Sequence, residues 1–425
     1  MTTASTEPRL DFCDPALYND PWETYRWLRA NAPLHRDESN GLWVISKHED
    51  VFHISREPET YCSGQGVRPK GDAPLSLICE DDPEHTRQRR MINRGFTPRR
   101  VRDLAPHIRE LSNQLIDEIA DRGNIDFVEE LAIHVPLIVI CELMGLDPAA
   151  RMNMYRWSDD MMAGDGRTEA DDPVLVAAAE AFLAYSQVCA ELITDRRANP
   201  RDDLISVLTQ KFDDGDLGGE EFTSLSGDPV GDAMGDDELN LFLTVLLIAG
   251  NETTRNAISG GMLALSLFPE ERQRLVEHID DEHFVDLAVD ELLRWTSPVI
   301  SFTRTVTRTH TYRGVDLEQG DRVLLLYQSA NRDENTFERP DELVLDRDPN
   351  PHLAFGIGPH FCLGANLARL EVKTVFQELF RRLPDIRVPA GSGRTRADST
   401  LVIALQHLPA VFTPKRPSKT DQKAL

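Results

Sequence analysis

Cys362 stands in a glycine-punctuated stretch, Phe355-Gly356-Ile357-Gly358-Pro359-His360-Phe361-Cys362-Leu363-Gly364, and the residues from Ala365 onward (ANLARLEVKTVFQELFRRL) read as a helix. Apolar residues recur there at Leu367, Leu370, Val375, Phe376, Leu379 and Phe380, spacings that suit one helical face. Cys362 therefore lies just ahead of a helix N-terminus, where unpaired N–H groups and the positive end of the dipole favour a thiolate over a thiol. A thiolate so placed is a metal ligand or a nucleophile; the plain alternative, commoner for an arbitrary cysteine, is a buried structural thiol. Two further chemistries fit less well. Phe361 occupies the place of the third glycine in a dinucleotide fingerprint, and no strong strand pattern leads into the loop. His360, two residues from Cys362, stands at a spacing with no catalytic meaning of its own for a cysteine protease.

A second constellation interrupts the long apolar segment Leu239 to Leu267, which reads as one helix. Its first half is apolar nearly all round, as suits a helix through the centre of a domain. In mid-course comes Ala249-Gly250-Asn251-Glu252-Thr253-Thr254. Glycine there weakens a helix by about 0.5–1 kcal/mol relative to alanine, and two hydroxyls with a carboxylate are unfavourable inside a protein. Such a violation of local rules is where function is expected, with a satisfied polar kink as the bland alternative. Farther on, Glu291-x-x-Arg294 forms an i, i+3 pair on a helix, a weak signal alone because such pairs contribute little on a surface.

In this order and combination the motifs resemble those of the cytochrome P450 family. The Cys362 stretch matches the haem-loop pattern Phe-Gly-x-Gly-x-His-x-Cys-x-Gly at every one of those positions, and Ala249–Thr254 matches the oxygen-activation motif. The resemblance implies haem b with the Cys362 thiolate as iron ligand, pushing electron density to favour O–O cleavage. It also implies that Phe355, His360 and Gly364 belong to the haem loop, and that Ala249 and Gly250 leave room for O2. Glu252 would help deliver protons, and Thr253 would hydrogen-bond the oxygen being activated. His85 and Arg89, in Asp82-Pro83-Glu84-His85-x-x-x-Arg89, would contact one haem propionate from a shared helix face. Arg304, assisted by His360, would reach the second. Glu291 and Arg294 would form a buried structural ion pair, with Arg347 as third partner, although Leu343 and Val344 stand where the family more often has Phe-Asp. Val299 and Ile300 would contact substrate above the haem.

These residues need elements to hold them. Helices are expected at Trp22–Ala30, Glu49–Ser55, Val101–Arg122, Val128–Met144, Met152–Met162 and Val174–Arg197, with strands at Gly41–Ser46 and Val323–Tyr327 and near Val402–Leu405 and Val411–Thr413. Residues 62–82 read as a functional loop. The pair of helices broken at Gly164–Asp172 corresponds to the family's movable lid. Residues 212–237 are acidic and glycine-rich and read as a flexible surface insertion. The resemblance covers Leu10 to Thr413 as a single domain, mainly α with small β sheets, with residues 1–9 and 414–425 expected as disordered tails.

A net charge of −26 over 425 residues argues against nucleic-acid binding and against adhesion to anionic membranes. The N-terminus is polar, and the longest helical apolar run, Leu239 to Ala249, falls short of the ~20 residues a membrane span needs. A cytoplasmic, monomeric protein with no membrane span is expected. The six cysteines show no zinc or iron–sulfur spacing. Seven arginines fall within His85–Arg102, a local reversal of sign in an acidic chain. With Arg369, Arg381 and Arg382 they form the expected docking surface for the electron donor, which the resemblance implies is a ferredoxin with its NAD(P)H-dependent reductase. The implied reaction is monooxygenation of a hydrophobic small molecule with O2 and two electrons. The chain as a whole resembles actinobacterial P450s that oxidise cholesterol and steroid side chains; a terpenoid, fatty acid or polyketide substrate, and a non-oxygenating haem-thiolate protein, are the alternatives.

Overall fold

The computed structural model describes residues 10–70, 76–164, 167, 169–213, 236–392 and 395–415; the expected N-terminal tail, nearly all of the C-terminal one and nearly all of the 212–237 insertion lie outside them. The N-terminal part runs α1 (Trp22–Asn31), β1 (Leu34–Asp37), β2 (Leu42–Ile45), α2 (His48–Ile54), β3 (Tyr61–Cys62), α3 (Glu84–Asn93), α4 (Pro98–Asp103), α5 (Ala105–Ile119) and β4 (Asn124–Asp126). The helical middle follows: α6 (His134–Leu143), α7 (Arg151–Ala163), α8 (Pro173–Ala198), α9 (Leu204–Asp213), α10 (Asp236–Leu267), α11 (Pro269–Glu277) and α12 (Glu282–Thr296). The C-terminal part holds β5 (Ser301–Val306), β6 (His310–Tyr312), β7 (Val315–Leu317), β8 (Arg322–Leu326), α13 (Tyr327–Ala330), α14 (Ala365–Arg382), β9 (Thr395–Ala397), β10 (Ala404–His407) and β11 (Pro409–Val411). The molecule is mainly α with small sheets.

The 32-residue α10 crosses the main hydrophobic core, and α6, α8, α12 and α14 pack around it. Asp236, Asp237 and Glu238 in its first turn complement the helix dipole. A Cβ on Gly261 would stand 2.9 Å from Phe376 Cζ, so the bare glycine is what lets α10 and α14 approach closely. The five-stranded sheet has the order β1-β2-β8-β5-β3, with β2 and β8 parallel and the other pairs antiparallel. Its central strand β8 is buried along Val323–Leu326, as the uncharged run there predicts.

Two expectations need correction. The helix predicted over Val101–Arg122 divides at Leu104, because Pro106 has no N–H to continue the ladder and instead opens α5 at its first turn. The other concerns apolar length: α8 has a mean hydropathy of 1.4 over its best window and is, among the described residues, long and apolar enough to cross a membrane. It packs on α7, α9 and α10, and its Arg196 is buried against Asp203 at 2.5 Å, so its apolar residues serve the fold.

Candidate functional site

Between α10 and the stretch leading into α14 lies a cavity holding about 1540 Å³ of empty space, its open mouth included. Its walls gather residues far apart in sequence: Arg89, the α10 face Ala249, Gly250, Thr253, Thr254 and Ala257, then Val299 and Arg304, and Phe355 to Gly364 except Gly358 and Pro359.

The cysteine loop is shaped by its own backbone. Cys362 N–H donates to Phe355 O at 2.9 Å, and Phe361 N–H to Gly358 O at 3.0 Å. Gly358 has φ +80°, and a Cβ there would lie 2.4 Å from Ser55 O, so this position requires glycine. Beneath the loop the Arg369 guanidinium covers the Phe355 ring at 4.5 Å and is held by Asp290 at 2.7 Å. Cys362 presents surface to the cavity rather than to bulk water. Burial pushes its thiol above the ordinary value, outweighing the Gly364 backbone bond and the Arg89 and Arg369 charges that lower it. The helix N-terminus alone therefore does not make the thiolate expected from sequence; a bound cation would have to.

On α10 the polar motif splits between two faces. Thr253 reaches the cavity, its Oγ1–H donating to Ala249 O at 2.7 Å. Gly250 lines it too, although a Cβ there would meet Ile140 Cδ1 at 3.2 Å, so the missing side chain also makes way for α6. Glu252 does not join the wall. It is buried on the α7 side, paired with Arg255 Nη2 at 2.5 Å, while Ser158 Oγ–H approaches at 3.4 Å and Asp159 holds Arg255 at 3.1 Å. Burial pushes Glu252 up to about 7; Arg255 pulls it down, Asp159 raises it and Ser158 lowers it. The helical period explains the split, since residue 252 falls outside the face set by 249, 250, 253, 254 and 257.

Cations collect at the opposite rim. His360 and His85 stand ring to ring at 4.2 Å, Arg304 lines the cavity, and Arg89 donates to Phe361 O. Among the described residues neither Arg89 nor Arg304 has a carboxylate in salt-bridge reach, and His85 Nε2 is buried without a hydrogen-bond partner. His360 is held neutral, down to about 2, by burial and then by Arg304, His85 and Arg89. Such a rim calls for an anionic ligand.

Glu291, Arg294 and Arg347 meet away from the cavity. Glu291 accepts from Arg294 Nε at 2.7 Å and from Arg347 Nε at 2.9 Å, and Val344 contributes its backbone N–H at 2.9 Å rather than a side chain. Of the two residues expected above the haem, only Val299 lines the cavity. Ile300 turns into the core with Phe12, Tyr25 and Leu42, because neighbouring residues of an extended chain point to opposite sides. Phe302 and Tyr327 line the wall unforeseen, as does Glu371, whose place on the Leu367–Glu371–Val375 stripe of an apolar helix face was the readable signal.

The basic segment does not form one patch. Arg87 is buried between Glu84 and Glu238, and Arg100 lies 3.6 Å from Asp202. Arg381 pairs with Asp280 and Glu378, and Arg382 with Asp117. Arg90, Arg99 and Arg102 remain exposed.

The family model described as Cytochrome P450 matches residues 177–412. The chain is 37% identical to a steroid C26-monooxygenase of Mycolicibacterium smegmatis over 98% of its length and 99% of that protein's. It is also 37% identical to a methyl-branched lipid omega-hydroxylase of Mycobacterium tuberculosis, covering 88% of this chain and 85% of that one. Among solved structures, a Mycobacterium marinum cytochrome P450 with pseudoionone superposes with a TM-score of 0.82 at 31% identity, covering 96% and 100% of the two chains. A Bacillus megaterium relative with testosterone gives 0.81 at 30% identity, over 92% and 97%. The chain belongs to the cytochrome P450 family and is a haem-thiolate monooxygenase. The residues present fit haem b: one thiol faces a roomy cavity, and His85, whose Nε2 has no partner among the described residues, stands with Arg89, Arg304 and His360 as a set of donors that would suit an anionic group such as a propionate.

Proposed function

We propose that this cytochrome P450 hydroxylates the saturated end of a steroid side chain. The observation that carries the reading is the wall beyond Thr253, made by Leu77, Phe96, Phe242, Leu246, Val299 and Phe302, a surface of hydrocarbon alone. Such a wall grips by dispersion and water exclusion, with nothing to hold a polar headgroup, so an alkyl terminus is what it suits. The names carried by the similar steroid C26-monooxygenases support the same class. A methyl-branched lipid is the second reading, favoured by the omega-hydroxylases at the same identity and by the same wall.

In this reading Cys362 holds the haem iron, and His85, Arg89, Arg304 and His360 hold its propionates. The haem supplies activation of O2 with two electrons. Thr253 Oγ1, already donating to Ala249 O, keeps its lone pairs toward the cavity and can accept from a water and pass a proton on. Glu252 stands one helix face away, paired with Arg255, so protons from it must pass around α10 to reach Thr253. Ala249 and Gly250 keep that part of the wall low. Glu291, Arg294 and Arg347 fix the approach to the cysteine loop without touching the chemistry.

Electrons come from a separate donor, which we take to be a ferredoxin served by an NAD(P)H-dependent reductase. Arg90 of α3 and Arg99 and Arg102 of α4 are its docking cations, and α4 packs against α14 on the cysteine side.

The test is optical. Reduced protein under carbon monoxide should show the thiolate-type Soret band and lose it in Cys362→Ala. Titration of the ferric form with cholest-4-en-3-one should convert low spin to high spin, and turnover should place one hydroxyl on the side-chain terminus. A full thiolate spectrum with no response to the steroid, but a response to a methyl-branched fatty acid, would replace the substrate and leave the enzyme class standing.

A further inference from the structure

Asp126, Glu129 and His407 meet outside the cavity, and none of them belongs to its wall. Asp126 ends β4, Glu129 stands in the helical turn Val128–Ala132 that follows, and His407 ends β10. His407 and Asp126 are 281 positions apart in sequence. The fold joins them where β11 pairs with β4, Pro409 opposite Asp126, and where Phe127 N–H donates to Leu408 O at 2.9 Å. His407 Nδ1 then lies 2.9 Å from Asp126 Oδ2 and 3.5 Å from Glu129 Oε1, and the three ligand atoms stand within 4.8 Å of one another.

The backbone fixes which oxygens are offered. Asp126 Oδ1 accepts the N–H groups of Val128 at 3.0 Å, Glu129 at 3.3 Å and Leu408 at 3.2 Å, which leaves Oδ2 to the imidazole. Glu130, next to Glu129, is used differently: it accepts Asp126 N–H at 2.8 Å and pairs with Arg122. One of two adjacent glutamates serves the fold, and the other faces His407.

We propose that Asp126, Glu129 and His407 bind a divalent cation of the zinc class, which clamps the C-terminal strands to the turn after β4. Two ligand atoms ~2.1 Å from one ion stand ~3.0 Å apart at a right angle and ~3.4 Å apart at the tetrahedral angle. The observed 2.9 and 3.5 Å match that spacing. Two carboxylates with a neutral imidazole cancel the charge of a divalent ion. His407 gives the Nδ1 lone pair, its ring proton residing on Nε2. An imidazole ligand favours zinc, nickel or cobalt over magnesium and calcium, which take oxygen. His407 and Glu129 are about half exposed, so water can complete the coordination. The backbone donors on Asp126 Oδ1 orient a ligand as outer partners do in metal sites.

The clamped strands lie behind the cavity wall. Leu405 N–H donates to Asn256 Oδ1 of α10 at 3.0 Å, Val402 bridges to Val299, and Leu401 and Val402 pack with Val299 and Phe302. An ion at His407 therefore holds the strand that backs this wall. The inference depends neither on the substrate nor on the haem chemistry.

The experiment titrates zinc chloride into the haem-loaded full chain, stripped of metal by a chelator and kept in excess magnesium, and follows heat and melting temperature. The native protein should bind one equivalent and melt higher with zinc than without it. His407→Ala and Asp126→Asn should each weaken binding at least about tenfold, the loss that even an outer partner of a metal ligand causes, and should abolish the rise in melting temperature. Asp126→Asn keeps an oxygen for the three backbone N–H groups, so a metal-free melting temperature equal to the native one separates ligation from capping. No stoichiometric binding to the native protein overturns the proposal, leaving an exposed ion pair. Binding of equal strength in both variants, or binding abolished by magnesium, also overturns it and means an adventitious ion only. Binding with no rise in melting temperature overturns the clamp.

Discussion

Two buried polar regions of this molecule are built on opposite principles. Around Glu291 the buried charges are all engaged. Its carboxylate receives Arg294 through both Nε and Nη2, Arg347 at 2.9 Å, Val344 N–H and Asn350 Nδ2. Arg294 spends its remaining donors on the carbonyls of Asn331, Pro340 and Glu342, and Arg347 does the same with Glu338 and Arg339. Around the cavity the pattern is reversed: among the described residues His85 Nε2 has no partner, Arg304 has no carboxylate, and Glu371 stands alone. A saturated network locks the chain; an unsaturated one waits for a ligand or a proton. Glu252 lies between, paired through Arg255 yet pushed up to about 7 by its burial.

The sharpest way to break this contrast is to unmake the saturated side. Glu291→Ala leaves Arg294 and Arg347 buried without their anion and should cost about 3–5 kcal/mol in denaturant unfolding of the haem-loaded protein. A loss under 1 kcal/mol would mean the node is not what holds the cysteine side together.

The unsaturated side should respond with the opposite sign. Glu371 takes up a proton on folding between its ordinary range near 4.5 and about 8, so its contribution to stability falls as pH rises through that window. Glu371→Gln removes the dependence and should gain about 3–4 kcal/mol on the native protein between pH 5 and pH 8, at ~1.4 kcal/mol per unit. Parallel stability–pH curves for the two proteins would show that the carboxyl is solvated or paired after all.

Thr253 tests the same wall through chemistry. Thr253→Ala should lower product formed per electron pair by roughly tenfold, about 1.4 kcal/mol, with peroxide making up the difference and haem spectrum and fold unchanged. Coupling equal to the native protein would remove Thr253 from the proton path.

The smallest effect belongs to the surface. Charge reversal at Arg90 and Arg102 should slow reduction by a ferredoxin a few-fold at low salt, within the ~0.2–1 kcal/mol of exposed pairs, and the difference should vanish at high ionic strength. Equal salt dependence of variant and native protein would move the docking site elsewhere.

Short motifs and helical periods of this chain are local properties, and they carry most of the architecture. The cysteine loop, the His85–Arg89 turn, the Glu291–Arg294 pair and the boundaries of α1, α7, α8 and α10 are set by residues within a few turns of one another, so sequence alone determines them. The facing of side chains across the fold is a different matter. Glu252 turned toward α7, Ile300 into the core, Arg87 between two glutamates and Arg381 onto Asp280, because each choice depends on a partner far along the chain, from 94 positions for Glu252 and Ser158 to 151 for Arg87 and Glu238. The thiol of Cys362 shows the limit most plainly: its place ahead of α14 is written locally, while the burial that pushes the free thiol up is created only by the assembled walls.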